Sequence, residues 1–431
     1  MTSATSTDYA NPYRPWPIKL FNKLPAIRPD AAIFHPDKLI SYARKKTGET
    51  EWSDAPLAEP LEHLCRAIVD EANLSMFGRV VQETRLKTLL VNRLRLDALM
   101  RTNPEILAQP TPDVILIAGL ARTGTTLLHR TLAADPDARS LASWEALNPA
   151  PFPNENSENP TARIKRGESA TGFIKWLAPD FSAVHPVSPL EPEEDILLLD
   201  LAFMSQTAEA VMNVPSYSAW LEQQDHRPAY AYLRDVLKTL NWISQGKYWT
   251  LKTPHHSEQL AAIMDIFPEA TLIQTHRDPM ATLASCCSLM AHSQALSTDA
   301  VNPHAIGQHW LRKVARMAEQ AEKARQNNPD RQIIDIHYRD LLAAPKSIIA
   351  SIYEARGTSL SGPSEAAIDA SLARPRPHAA RRHAYHLSDF GLTPQDIEQT
   401  FAPYCKQYEI CLLYTSPSPR DQRGSRMPSS A

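Results

Sequence analysis

One stretch constrains the fold more than any other: Val114-Ile-Leu-Ile-Ala-Gly-Leu-Ala-Arg-Thr-Gly-Thr-Thr-Leu-Leu-His129. The apolar run Val114 to Ala118, introduced by Pro110 and Pro112, reads as a buried strand. Gly119 and Gly124 bracket a loop, and Thr125-Thr126 opens a helix through Leu127, Leu128, Leu132 and Ala133. Such a strand, loop and helix start gather backbone N–H groups around one point. They hold phosphate-like oxygens without needing a metal. The Gly119-to-Gly124 spacing is that of a GxxxxGK[ST] loop, but Thr125 stands where the Lys that reaches a triphosphate belongs. The cation sits inside the loop instead, as Arg122. This points to a phosphate-bearing donor other than ATP or GTP.

A second segment complements the first. Tyr248-Trp-Thr-Leu-Lys-Thr-Pro-His-His256 leads into a short helical pattern, and Pro268 to Pro279 then reads as a strand running into a helix near Met280. Arg277 leaves the carboxyl end of that strand, and Ser285 follows eight residues later, about two turns into the helix. A guanidinium fork and a hydroxyl so placed suit a phosphate dianion. Alone, a helical Ser is usually packing and a strand-end Arg a surface ion pair. The two segments gain specificity together, by serving two ends of one molecule.

Arg122-Thr123-Gly124-Thr125-Thr126 fits the pattern [KR]-[ST]-G-T-T, and here the chain resembles sulfotransferases that use 3′-phosphoadenosine 5′-phosphosulfate. The resemblance runs from Val114 to Tyr408 and is nearest the branch holding tyrosylprotein sulfotransferases and bacterial relatives. It includes Asp135-Pro-Asp-Ala-Arg139, Ser143-Trp-Glu-Ala146, Leu251-Lys-Thr-Pro254, Tyr338-Arg-Asp-Leu341 and the run Arg381 to Leu392. It implies that Gly119, Arg122, Thr123, Gly124, Thr125 and Thr126 hold the 5′-phosphosulfate, and that Arg277 and Ser285 hold the 3′-phosphate. The late Arg-Lys-Gly triplet of cytosolic relatives is missing, so Arg376, Arg381 and Arg382 are inferred to supply donor-covering charge. Glu145 is the first choice for general base, although it lies two residues farther along than in the resembled branch. His255 is the rival, one residue off the cytosolic position. Lys252 and Arg122 are expected to stabilise charge on the bridging and sulfuryl oxygens. The implied reaction is in-line transfer of a sulfuryl group to a hydroxyl, with no metal.

Composition narrows the partners. The net charge is −3 over 431 residues, which gives no support to nucleic-acid binding, so anion binding must be local. The first residues lack a basic start and an apolar core, and no apolar run is long enough to span a membrane. A cytoplasmic protein with a small-molecule hydroxyl acceptor is the expectation. The five cysteines show no metal spacing. Glu191, Glu193, Glu194 and Asp195 form an acidic cluster, read as helix N-terminal charge after Pro192, or else as groups orienting a polyhydroxylated or cationic acceptor. Two rivals remain. A P-loop kinase or NTPase is disfavoured by Thr125. A non-catalytic adenosine-bisphosphate-binding protein is disfavoured by the presence together of Arg122, Lys252 and Glu145.

The expected fold is α/β, a P-loop-like parallel sheet flanked by helices with ligands at the carboxyl ends of the strands. Residues 1–60 read as a Pro-rich extended arm, 61–105 as a helical cap and 106–410 as the sulfotransferase domain. Its helical insertion from Thr161 to Asn241 is expected to form the acceptor pocket. Residues 411–431 read as a non-native tail, because Cys411 to Asp421 resembles a translated sequencing adapter and helical periodicity stops at Ile410. An intact genomic reading frame through Ala431 would overturn that.

Overall fold

The computed structural model describes residues 7–26, 28–155, 159–374 and 385–412. Five strands form one sheet: β1 (Val114–Gly119), β2 (Ala138–Ser140), β3 (Tyr248–Lys252), β4 (Thr271–His276) and β5 (Ile333–His337). All are parallel, in the order β2-β3-β1-β4-β5. A parallel sheet is covered on both faces, so its central strands tend to be apolar throughout rather than alternating. β1 is accordingly buried along its whole length. Its side chains divide between two cores: Val114, Leu116 and Ala118 join the large cluster that includes the cap, while Ile115 and Ile117 pack with Leu128, Leu132 and Ile349. Truncating Ile117 to Ala would cost about 2–5 kcal/mol.

The register sets the site. Ile117 lies beside Lys252, and Gly119 beside Thr275. The loop after β1 therefore emerges between the end of β3, which carries Lys252, and the end of β4, which leads into Arg277. This is the carboxyl edge where ligands of open α/β sheets bind.

The N-terminal region departs from an extended arm. Helices occupy Trp16–Phe21, Asp30–Ile33 and Pro36–Thr47. The prolines that suggested an extended chain, Pro17 and Pro36, stand in first turns, where the missing N–H is no loss and φ is already helical. The cap consists of Ala58–Glu71 and Met76–Thr102, with Leu61, Leu64, Ile68, Leu86, Leu90 and Leu94 turned inward. It meets the sheet layer closely. Ser75 N donates to the Ser297 carbonyl at 3.0 Å and Gln82 Nε2 to Ser297 Oγ at 2.8 Å. A Cβ on Gly78 would overlap the Ser297 carbonyl, so only Gly lets the two backbones approach here.

The insertion is helical, with Thr161–Leu177, Pro179–Val184, Pro215–Leu221 and Arg227–Ile243 as main elements. The acidic run within it folds differently from a helix start. Pro192 bridges antiparallel to Ala142, Ser143 N donates to Glu191 O and Glu193 N to Leu141 O. The helix that follows spans only Ile196–Leu199 and has no side-chain cap. Two of these carboxylates instead meet buried basic side chains, Glu194 at Lys252 and Asp195 at His256.

Candidate functional site

The loop between Gly119 and Gly124 is shaped by two left-handed residues, Arg122 at φ 69° and Gly124 at φ 92°. Gly tolerates this; Arg does so at a cost of order 1–3 kcal/mol, held by its surroundings. Those surroundings are visible. Thr123 Oγ1 donates to the Leu120 carbonyl and meets Thr275 Oγ1, both at 2.6 Å. Arg277 Nη1 donates to the Arg122 carbonyl at 2.9 Å while its guanidinium lies 4.1 Å from the Tyr338 ring centre. Arg122 Nε donates to Ser285 Oγ at 2.9 Å. The Thr125–Leu132 helix starts directly after Gly124, so its first N–H groups, which have no intrahelical acceptor, face this loop.

A cleft of about 510 Å³ opens here. Arg122, Gly124, Thr125, Thr126 and Arg277 line one end. Glu193 and Glu194 line it as well, with His185. Behind Glu194 lies Lys252, whose Nζ is 2.5 Å from Glu194 Oε1 and only 3% exposed. Burial alone would raise the Glu194 carboxyl, but the Lys252 charge and hydrogen bond outweigh it and hold it below the ordinary range. The next residue fixes the pair. Asp195 Oδ1 accepts from the Lys252 backbone N at 2.8 Å, Asp195 Oδ2 pairs with His256 Nε2 at 2.9 Å, and His256 Nδ1 meets the Tyr230 hydroxyl at 2.9 Å. His129, in the helix after the loop, bonds the Thr250 carbonyl of β3 at 3.0 Å. Burial and the Lys252 charge push its imidazole down to about 4, so it is neutral at pH 7.

The sequence-derived residues therefore divide. Arg122, Gly124, Thr125, Thr126 and Arg277 reach the cleft; Ser285 and Lys252 stand one contact behind it; Gly119 and Thr123 support the loop from beneath. Glu145 and His255 are not brought there. Glu145 is buried against Arg139, 2.7 Å away, and Arg139 covers the Trp249 ring. Burial raises the Glu145 carboxyl against the pull of Arg139 and Arg163. This is the shift wanted of a base, but in a structural ion pair. His255 is buried, with neither ring nitrogen hydrogen-bonded among the described residues, and burial holds it well below an ordinary imidazole. Only its neighbour Pro254 lines the cleft. Arg376, Arg381 and Arg382 lie outside the described residues. Glu194 is the group that sequence reasoning did not single out. The available signal was a run of carboxylates flanked by apolar Ile196 to Leu199, where buried charge demands buried cations.

The rest of the cleft is mostly apolar, built by Ile174, Phe181, Leu197, Leu289, Met290 and Met317 from five separate helical segments. Among the described residues, no group of three or more His, Cys, Asp or Glu is arranged to hold a metal ion, and no helix is long and apolar enough to cross a membrane.

Comparison with known proteins agrees with this geometry. A profile described as "Sulfotransferase family" matches residues 112–362, which include the loop, Lys252, Arg277 and Ser285. The crystal structure of the sulfotransferase STF1 from Mycobacterium tuberculosis superposes with a TM-score of 0.75 at 31% identity, covering 87% of this chain and all of that one (100%). STF9 from Mycobacterium avium gives a TM-score of 0.76 at 25% identity, covering 87% of this chain and 97% of that one. A curated relative is the omega-hydroxy-beta-dihydromenaquinone-9 sulfotransferase Stf3 of Mycobacterium bovis, 22% identical over 279 residues. That match takes in 60% of this chain and spans 65% of the relative's length. With the profile over more than half of its residues and a solved sulfotransferase matched from end to end, this chain belongs to the sulfotransferase family.

Proposed function

We propose that the protein transfers a sulfuryl group from 3′-phosphoadenosine 5′-phosphosulfate to a hydroxyl on a small-molecule acceptor, with Glu194 rather than Glu145 as the base. The observation that carries this reading is the Arg122–Ser285 hydrogen bond, with Arg277 bonded to the same loop. It joins two motifs far apart in sequence into one anion-binding wall. The donor set fits the chemistry. Two guanidiniums, the Ser285 hydroxyl and a helix N-terminus match a molecule with phosphate at one end and phosphosulfate at the other.

Each residue then has a task. Arg277 and Ser285 bind the 3′-phosphate, and the loop from Gly119 to Thr126 binds the 5′-phosphosulfate. Arg122 and Lys252 hold positive charge toward the oxygen that leaves as the sulfur–oxygen bond to the acceptor forms and the bond to the 5′-phosphate breaks. Such displacements are loose, so positioning and charge carry most of the rate. Glu194 takes the hydroxyl proton. Its partner Lys252 keeps it ionised in the resting protein, and the donor's anionic charge, by drawing Lys252 away, leaves the carboxylate free and more basic. Asp195, bonded to the Lys252 backbone, keeps the two in register. The relative Stf3, named for a hydroxylated menaquinone, is consistent with a hydroxyl acceptor of low polarity.

The test is thermal stabilisation by 3′-phosphoadenosine 5′-phosphate against ATP–Mg²⁺, in the wild type and Arg277→Ala. Stabilisation grows as RT ln(1 + [L]/Kd). A rise with the bisphosphate alone, lost in the variant, is expected. A rise with ATP–Mg²⁺ alone would replace this reading with a kinase.

A further inference from the structure

The apolar end of the cleft opens beside an unusual surface. Trp16 and Leu20 of the Trp16–Phe21 helix are 76% and 59% exposed; Phe173 and Trp176 of the Thr161–Leu177 helix are 44% and 47% exposed. The two helices are clamped together from beneath. Ile18, Leu177 and Ala178 form a buried cluster against Phe77, Phe181 and Leu296, and the Phe173 ring lies 6.0 Å from Phe77 and 5.6 Å from Trp176. The exposed rings therefore flank a common buried seam. Phe181 and Leu296 belong to that seam and also line the cleft, as does Ile174 from the Phe173 helix. Outer face and inner cleft share the same wall.

The two segments that carry these rings are themselves basic, and the flanking carboxylates are Glu168, Asp180 and the half-exposed Asp299. Neither Tyr13–Ala26 nor Ser169–Pro179 contains an acidic residue, and Lys19, Lys23 and Lys175 are exposed on them. The one Arg, Arg14, is turned inward to Asp299. Exposed Trp and Phe interleaved with Lys form the side-chain mixture that settles at a bilayer interface, rings at headgroup depth and ammonium groups toward anionic lipid.

We propose that the protein docks on an anionic bilayer through Trp16, Leu20, Phe173 and Trp176. Its acceptor is then a membrane-resident alcohol whose apolar body lies along the cleft while its hydroxyl reaches Glu194. The acceptor half of this proposal rests on the sulfuryl-transfer reading; the docking half does not. A soluble, polyhydroxylated acceptor would leave Leu197, Leu289, Met290 and Met317 without a partner, whereas an amphiphile covers them at no desolvation cost.

Co-sedimentation with vesicles tests it, using phosphatidylcholine alone and with about a third phosphatidylglycerol. The wild type is expected to favour the anionic vesicles roughly tenfold or more, from three lysines near the surface. Trp16→Glu/Trp176→Glu should lose that binding at least roughly tenfold. Both sites are exposed and outside the donor site, so stabilisation by 3′-phosphoadenosine 5′-phosphate should be unchanged and reports that the variant is folded. Failure of the wild type to sediment with anionic vesicles, or equal sedimentation of the double variant, overturns docking. So does a wild-type dimer by light scattering that the double variant dissociates, since the face would then belong to a second copy. If the bisphosphate does not stabilise even the wild type, the transfer reading fails, while vesicle retention still decides docking by itself.

Discussion

The two ends of the cleft are built in opposite ways. The loop end comes from two short contiguous segments, the loop after β1 and the turn after β4, and its geometry is set by backbone: left-handed residues, strand register and a helix start. The apolar end comes from side chains on helices scattered from Ile174 to Met317, none of which carries a motif. Backbone-built sites tolerate little change, because moving one amide moves all of them. Side-chain-built walls can be repacked at modest cost if volume is kept. A conservative loop end joined to an adjustable apolar wall would let one anion site serve differently shaped partners.

Glu194 stands at the boundary of the two ends, and its removal should have the largest effect. Glu194→Gln is expected to lower kcat roughly 10³-fold, the scale of a lost general base, with bisphosphate binding retained. A kcat within a few-fold of wild type would move the base elsewhere. Glu145→Gln sharpens the contrast. It should leave the pH profile of kcat in place but cost about 3 kcal/mol of stability, because Arg139 is then buried without its counter-charge; chemical denaturation reads this directly.

His129 ties the loop helix to β3, and its titration should show in stability. Its folded-state value is pushed from 6.5 down to about 4, so the unfolded chain binds the extra proton first. The stabilising contribution is full above pH 6.5 and is lost as pH falls through about 4, a change of about 3 kcal/mol. Thermal midpoints measured across that window should fall with acid, and His129→Gln should flatten the slope. At the donor end, Arg277→Ala should weaken the bisphosphate about 10- to 100-fold by calorimetry, as for a charged hydrogen-bonding partner. Ser285→Ala should do so only about ten-fold, the lower end for a single hydrogen bond to a charged group. If Ser285→Ala matched Arg277→Ala, the donor wall would depend on the Arg122–Ser285 contact more than on charge.

This difference in construction also explains what could be read from sequence. The parallel sheet, the loop and the placement of Arg277 and Ser285 beside it were legible, since local pattern dictates local backbone and the resemblance covers those same segments. Glu145 carries the resemblance's motif, yet Arg139, only six residues earlier, captures it. No spacing argument reveals which of two nearby carboxylates a buried Arg will take. Glu194 was visible only as part of an acidic run, because its partner Lys252 is brought to it by the sheet, 58 residues away in sequence. The arm was misread for a related reason: proline signals an extended chain only where it does not stand in a helix's first turn.

One contact bears on how such proteins diversify. At Gly78 the cap touches the Ser297 carbonyl with no room for a side chain, so the cap is fused to the core and not hinged to it. A chimera that imports another relative's cap, which carries the position of Gly78, must import its seat, the Ser297 turn, along with it as one cassette. A new acceptor range is reached more simply by exchanging wall residues such as Leu197 or Met317 within the original frame.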